Sequence, residues 1–154
     1  MVIILARVKD KGIFENFFRR DGRLNRWRYF KRTIAIFPVA LLISFAVVIV
    51  DVNALGQLSS FGNNAIKFLL AAIQIPFFCL TVRRLHDMNK NETLAYVAIG
   101  LGLIPILFRD GDFLVTEPST LENLLNLVSG FISLYILFCP GTHGNNQYGS
   151  DPLE

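Results

Sequence analysis

Residues 33–50 read TIAIFPVALLISFAVVIV, eighteen residues without a charge. A helix needs about 20 residues, rising 1.5 Å each, to cross the roughly 30 Å of hydrocarbon in a bilayer, and this stretch comes close to that length. Polar and apolar residues do not alternate in it as a water-facing helix or strand would require. The stretch predicts a transmembrane helix, and three further apolar blocks follow at residues 65–82, 94–108 and 121–139. The second block carries Lys67 near one end and Gln74 and Pro76 within, so it spans if the lysine reaches the headgroups. The third is short, and the fourth opens with Glu122 and Asn123. Between the blocks, residues 51–64, 83–93, 109–120 and 140–154 are punctuated by Gly, Pro, Asn or Asp. The expected fold is all-α: a polytopic membrane protein, one domain of four transmembrane helices with an N-terminal interfacial helix.

Composition agrees, because 53% apolar and 18% charged residues are too many hydrophobes and too few charges for an ordinary soluble domain. Cys79 and Cys139 both fall inside apolar blocks, which favours reduced, buried thiols over a disulfide framework. The apolar start at residues 1–6 is too short for a signal-peptide core and has no basic region before it, so no cleaved targeting segment is expected.

Lysine and arginine set the orientation, since they favour the cytoplasmic side when they lie close to a span. Residues 1–32 hold ten of the fifteen, and Arg83, Arg84 and Lys90 add three more on the same face. The opposite face has Arg109, with Lys67 at a helix edge, among Asp51, Asp110, Asp112, Glu117 and Glu122. Both termini are therefore expected in the cytoplasm, with four crossings returning the tail to the side of the amino terminus.

Three polar segments flank the spans. Phe14, Phe17 and Phe18 share a helical face, and residues 23–32, RLNRWRYFKR, interleave arginines with Leu24, Trp27 and Phe30; an interfacial helix against anionic lipid headgroups fits both. Nucleic-acid binding uses the same residue types, but a cluster abutting a span is explained by membrane anchoring, and no nucleic-acid partner is expected. The second segment, residues 83–92, reads RRLHDMNKNE. One His beside one Asp falls short of a metal-ligand set, so no metal or cofactor is expected; Arg84 pairing with Asp87 in a loop is the simpler reading, against a binding or catalytic role. The third, PGTHGNNQYGSDP at residues 140–152, cannot continue a helix past Pro140 and should form turns in an ordered lid.

Inside the spans Gln74 is the most polar deep group, suited to interhelical hydrogen bonding, and no buried charge suggests a proton relay. Ala98 with Gly102, and Ser129 with Ser133, place small residues four apart for close helix contact. The bundle is expected to be packed and not porous.

Taken together, GRLNR at residues 22–26, RRLHD at 83–87 and G-T-x-G-x-N-x-Y-G-x-D-P at 141–152 resemble the domain of unknown function 805 family of small bacterial inner-membrane proteins. The resemblance covers about residues 14–152. Where the family often has D-x-G-K-S-G-W after the histidine, this chain has Asp87-Met88-Asn89-Lys90-Asn91-Glu92-Thr93, and Phe30 stands where a tryptophan is common. The family implies architecture and an inner-membrane location but no reaction. With the charge-based topology it places Arg23, Arg26, Arg84, His86, Asp87, Asn146, Tyr148 and Asp151 on one cytoplasmic face as a composite binding site. The expected function is a membrane-embedded binding or interaction module; the alternative is a small oligomeric transporter or channel. Catalysis by His86 and Asp87 lacks both a metal-ligand set and a nucleophile motif. Expected partners are the bilayer with its anionic headgroups, a second copy of the chain, or a cytoplasmic protein.

Overall fold

A computed structural model describes residues 12–109, 111 and 116–152. The apolar start at residues 1–6, and Asp110 and Asp112, lie outside the described residues. The described chain is all-helical, with a short α1 (Ile13–Phe17) followed by α2 (Arg26–Leu55), α3 (Ser60–Asp87), α4 (Thr93–Phe108) and α5 (Thr120–Phe138). Three of these, α2, α3 and α5, are long and apolar enough to cross a membrane, and α4 is an apolar helix of 16 residues.

Local chemistry sets the helix ends. Asn25 caps α2 by accepting the Arg28 N–H at 2.9 Å, and Gly56 ends the helix in the left-handed conformation at φ 75°. Ser59 caps α3 by accepting the Gly62 N–H at 3.1 Å. Asp51 in turn accepts the Ser59 N–H at 2.5 Å and its hydroxyl at 2.8 Å, so the α2–α3 link is cross-braced. Ser119 and Glu122 form a reciprocal capping box at the start of α5.

The helices overrun the apolar blocks. The arginine-rich run at residues 26–32 forms the first turns of α2, continuous with the span, and is not a separate interfacial helix; α1 has only 5 residues. At 30 residues, α2 is about 45 Å long, more than the hydrocarbon requires, so its basic turns extend beyond it. Likewise α3 runs to Asp87, and the segment expected as a loop from residue 83 is its last turn. Burial of Leu80, Val82 and Leu85 holds that turn helical until Met88, after which Asn89 turns the chain at φ 55°. Lys67 donates to the Arg109 carbonyl at 2.8 Å, satisfying an orphan acceptor at the end of α4.

α3 is the central helix and packs against both α2 and α4, while α4 packs against α5. Outward faces are apolar: Leu41, Leu42, Phe45 and Val50 of α2 are exposed, as are Leu124, Leu127 and Phe131 of α5. Such surface is costly in water and suited to lipid. The densest packing lies at one end, where Leu24, Tyr29, Leu80, Val82, Leu85, Met88, Ala95 and Ile136 form a single cluster. At this same end the segment before α2, the last turn of α3 and the tail meet.

Candidate functional site

The last turn of α3, beyond the apolar stretch at 65–82, carries the centre of the site. Arg84 is fully buried. Its guanidinium donates Nε to the Ile136 carbonyl at 3.0 Å, Nη1 to Asp87 Oδ2 and Nη2 to the Cys139 carbonyl. A helix leaves its last carbonyls without intrahelical partners, and Arg84 supplies donors to two at the end of α5. The planar five-donor fork of arginine suits this task, where a lysine ammonium would not reach all three acceptors.

Asp87 takes a second guanidinium from the other side. Arg23, in the segment between α1 and α2, donates Nε to Asp87 Oδ1 at 3.2 Å and lies 3.1 Å from it through Nη2. Its remaining donors go to the tail: Nη2 to the Thr142 carbonyl at 2.5 Å, and Nη1 to the Gly144 carbonyl at 2.5 Å. The Arg23 side chain is only 1% exposed, and Leu24 N–H donates to the Arg83 carbonyl at 3.0 Å, fixing the segment along α3. Burial pushes the Asp87 carboxyl up, while Arg84 and Arg23 pull it down. Two guanidiniums within hydrogen-bond reach of its oxygens offset part of that burial, and the carboxyl stays above its ordinary range.

The tail closes on the backbone of the same turn. Thr142 donates its N–H at 2.8 Å and its hydroxyl at 3.0 Å to the Asp87 carbonyl. Asn146 donates to the His86 carbonyl and to Thr142 Oγ1, both at 2.9 Å, and accepts the Tyr148 N–H at 2.9 Å. A reverse turn pairs Asn146 with Gly149, and Asp151, buried, accepts the Gly144 N–H at 2.9 Å. The expected turn-forming character of the tail is thereby seen, with Gly144 at φ 71° and Gly149 at φ 136° in conformations other residues rarely adopt.

His86 faces away from the carboxylate. Its ring stacks on Tyr148 with centroids 3.9 Å apart and planes 8° from parallel. Nδ1 lies 3.3 Å from the Gly22 carbonyl, and Nε2 lies 3.7 Å from Glu92. Burial lowers the imidazole pKa below its ordinary value, opposed by the Gly22 carbonyl and by Glu92. The His86–Asp87 adjacency therefore does not form an acid–base dyad: the carboxylate belongs to the arginines and the imidazole to the tail aromatic.

Seven of the eight residues singled out from sequence, Arg23, Arg84, His86, Asp87, Asn146, Tyr148 and Asp151, thus meet in one hydrogen-bonded cluster. The eighth, Arg26, is exposed at the start of α2 and lines a hollow of about 80 Å³ with Gly141, His143 and Asp151. The sequence reading does not single out Thr142, nor Gly141, where a Cβ would overlap the Asp87 carboxylate. The G-T-x-G spacing is their signal. It also does not single out the ion pair of Arg20 with Glu92, which Tyr96 joins at 3.3 Å and which pins the segment before Gly22 to the start of α4. Among the described residues no three His, Cys, Asp or Glu side chains are grouped to hold a metal.

Comparison with known proteins places the chain. It is 26% identical over 142 residues to inner membrane protein YhaI of Escherichia coli strain K12, covering 92% of each chain, and equally to the same protein of Escherichia coli O157:H7. No solved structure matches it. A family described as protein of unknown function DUF805 matches residues 17–150, which includes every named residue of the polar cluster but Asp151, and the chain therefore belongs to the DUF805 family.

Proposed function

We propose that the protein is a four-span binding module of the bacterial inner membrane, with both termini in the cytoplasm and the polar cluster acting as a latch. The observation that carries this reading is how the buried charges are used. Arg23 and Arg84 are engaged with Asp87 and with carbonyls of α5 and the tail, so the cluster locks three segments into one lid at the bundle end. Among the described residues, ten of the twelve lysines and arginines, all but Lys67 and Arg109, lie on the latch side of the apolar stretches, which favours a cytoplasmic position for it. The exposed rim of Arg26, Trp27, Arg28 and Lys31, with Lys31 4.9 Å above the Trp27 ring, suits contact with anionic headgroups.

The test is native mass spectrometry of gently purified protein, comparing wild type with an Arg84→Ala, His86→Ala, Asp87→Ala variant whose helicity has been verified by circular dichroism. The expected result is a specific co-purifying molecule on the wild type that the variant loses. A wild type carrying nothing specific, or two identical spectra, would overturn the reading. A small oligomeric transporter is the second reading, favoured by a hollow of about 730 Å³ between α2, α3, α4 and α5; ion or solute flux from protein-loaded liposomes above that of empty ones is its signature.

A further inference from the structure

Between α2, α3, α4 and α5 lies a cavity of about 730 Å³, within the roughly 300–1,000 Å³ usual for small-molecule sites. The small residues expected to allow close helix contact also line it: Ala98 and Gly102 on α4, Ser129 and Ser133 on α5. Gln74 lies against Gly102, where a Cβ would come within 3.1 Å of its amide nitrogen. The bundle is therefore closely packed at the latch end and holds a half-open hollow in its middle.

The lining has two characters. Thr33 of α2, Gln74 and Thr81 of α3, and Asn126 of α5 join the two serines in presenting hydroxyls and carboxamides, none of them charged, and Phe37 and Phe77 supply apolar wall. Arg109 and Glu122 reach the cavity only at the end away from the latch, where Arg109 donates to the Thr116 carbonyl and Glu122 accepts the Ser119 N–H at 2.5 Å. One side is open. α2 and α5 touch sparsely, and a second hollow of about 400 Å³ runs between them, sharing Tyr29, Thr33, Gly130 and Ser133 with the cavity and continuing along Leu134 and Leu137.

The Ser133 hydroxyl already donates to the Ser129 carbonyl at 2.9 Å and Thr81 pairs with the Tyr29 hydroxyl, so it is the Gln74 and Asn126 carboxamides that a wholly apolar guest would leave without a partner, which is costly away from water. An ion would find no opposite charge in the middle of the cavity. We propose that this cavity holds a neutral lipid, its uncharged head bearing hydroxyls or carbonyls set among Gln74, Asn126 and Ser133, with its hydrocarbon chain leaving through the slot between α2 and α5. The assignment rests on the binding-module reading and names its site and ligand class.

Gly130 offers the test, because a Cβ built there meets nothing within 4 Å. Gly130→Phe fills the slot from a helix that can carry the side chain. Full-length protein is reconstituted in phosphatidylcholine vesicles with a diacylglycerol carrying a diazirine beside its glycerol. On illumination the label is expected on the segments containing Gln74 and Asn126. Excess unlabelled diacylglycerol should displace it, and Gly130→Phe should lower it by about tenfold. Label confined to outward residues such as Phe45 and Phe131, or indifferent to Gly130→Phe, overturns the proposal. So does a Ser133→Cys variant that reacts with membrane-impermeant thiol reagents, which would make the cavity a water path, and so does a Gly130→Cys variant that cross-links to a second copy. A co-purifying molecule that Gly130→Phe does not release would sink the cavity assignment and leave the binding module standing. A wild type carrying no molecule would sink both.

Discussion

Arg84 shows what one side chain costs when it is closed in among fixed acceptors. Truncating it to alanine leaves Asp87 with Arg23 alone and removes the donors from the Ile136 and Cys139 carbonyls. Breaking a buried ion pair by deleting one partner costs about 3–5 kcal/mol, so Arg84→Ala should lower the unfolding midpoint in detergent steeply. Arg84→Lys keeps the charge but serves fewer acceptors, and should recover only part of the loss; full recovery would mean that charge, not fork geometry, holds the site. His86 makes a prediction of opposite character. Its folded pKa is lowered, so the unfolded chain binds the proton more readily, and stability present above the ordinary value of 6.5 is lost as pH falls through that value toward the folded one. The groups facing the ring are Glu92, Asp21 and Arg20, with Tyr148 stacked on it. Unfolding midpoints measured between pH 7.5 and 5 should fall for wild type. His86→Gln should flatten that dependence, and a wild-type curve no steeper than the variant's would show that His86 is not the titrating group.

At the scale of elements, the existence and order of the apolar helices were legible in the sequence and their extents were not. Apolar blocks report where lipid can be, and the chain keeps its helical hydrogen bonds past the last apolar residue wherever polar side chains find partners: the arginines of α2 in solvent, Arg83 to Asp87 of α3 against the tail. Pairing of Arg84 with Asp87 could be read from their i, i+3 spacing, whereas the use of Arg84 on α5 carbonyls had no trace, because a main-chain acceptor is the same at every residue. The tail is held mostly by such acceptors, and its docking depends on close approach at Gly141. Adding a methyl group there overlaps the Asp87 carboxylate, a crowding that costs about 1–3 kcal/mol when the surroundings cannot give. Gly141→Ala should therefore lift the tail without unfolding the helices. Limited proteolysis between Gly144 and Gly149 should speed up, and Cys139 should react faster with a thiol reagent while buried Cys79 stays protected. Unchanged proteolysis would mean that the tail is anchored elsewhere than at Asp87.

The whole molecule is a bundle tight at one end and hollow in its middle, and that contrast was not legible: small residues four apart read the same whether they admit a neighbouring helix or line a space. Three chain segments far apart in sequence meet at the tight end, so an even number of crossings separates the amino-terminal segment from the tail if α4 spans with the others. At 16 residues α4 reaches about 24 Å, short of the hydrocarbon thickness, and a short span is accommodated by thinning of the bilayer or by flanking polar residues. Arg109 and Glu92 stand at its two ends to serve as those flanks. Charge asymmetry then sets the side. Fused at the tail, green fluorescent protein should fluoresce and alkaline phosphatase should be inactive, while phosphatase inserted in the α2–α3 link, after Leu55, should be active. An active phosphatase at the tail together with one active in that link would put the tail across the membrane from the start of α2, and since Arg23 bonds both Asp87 and the Thr142 carbonyl, that result would overturn the latch along with the four-span topology.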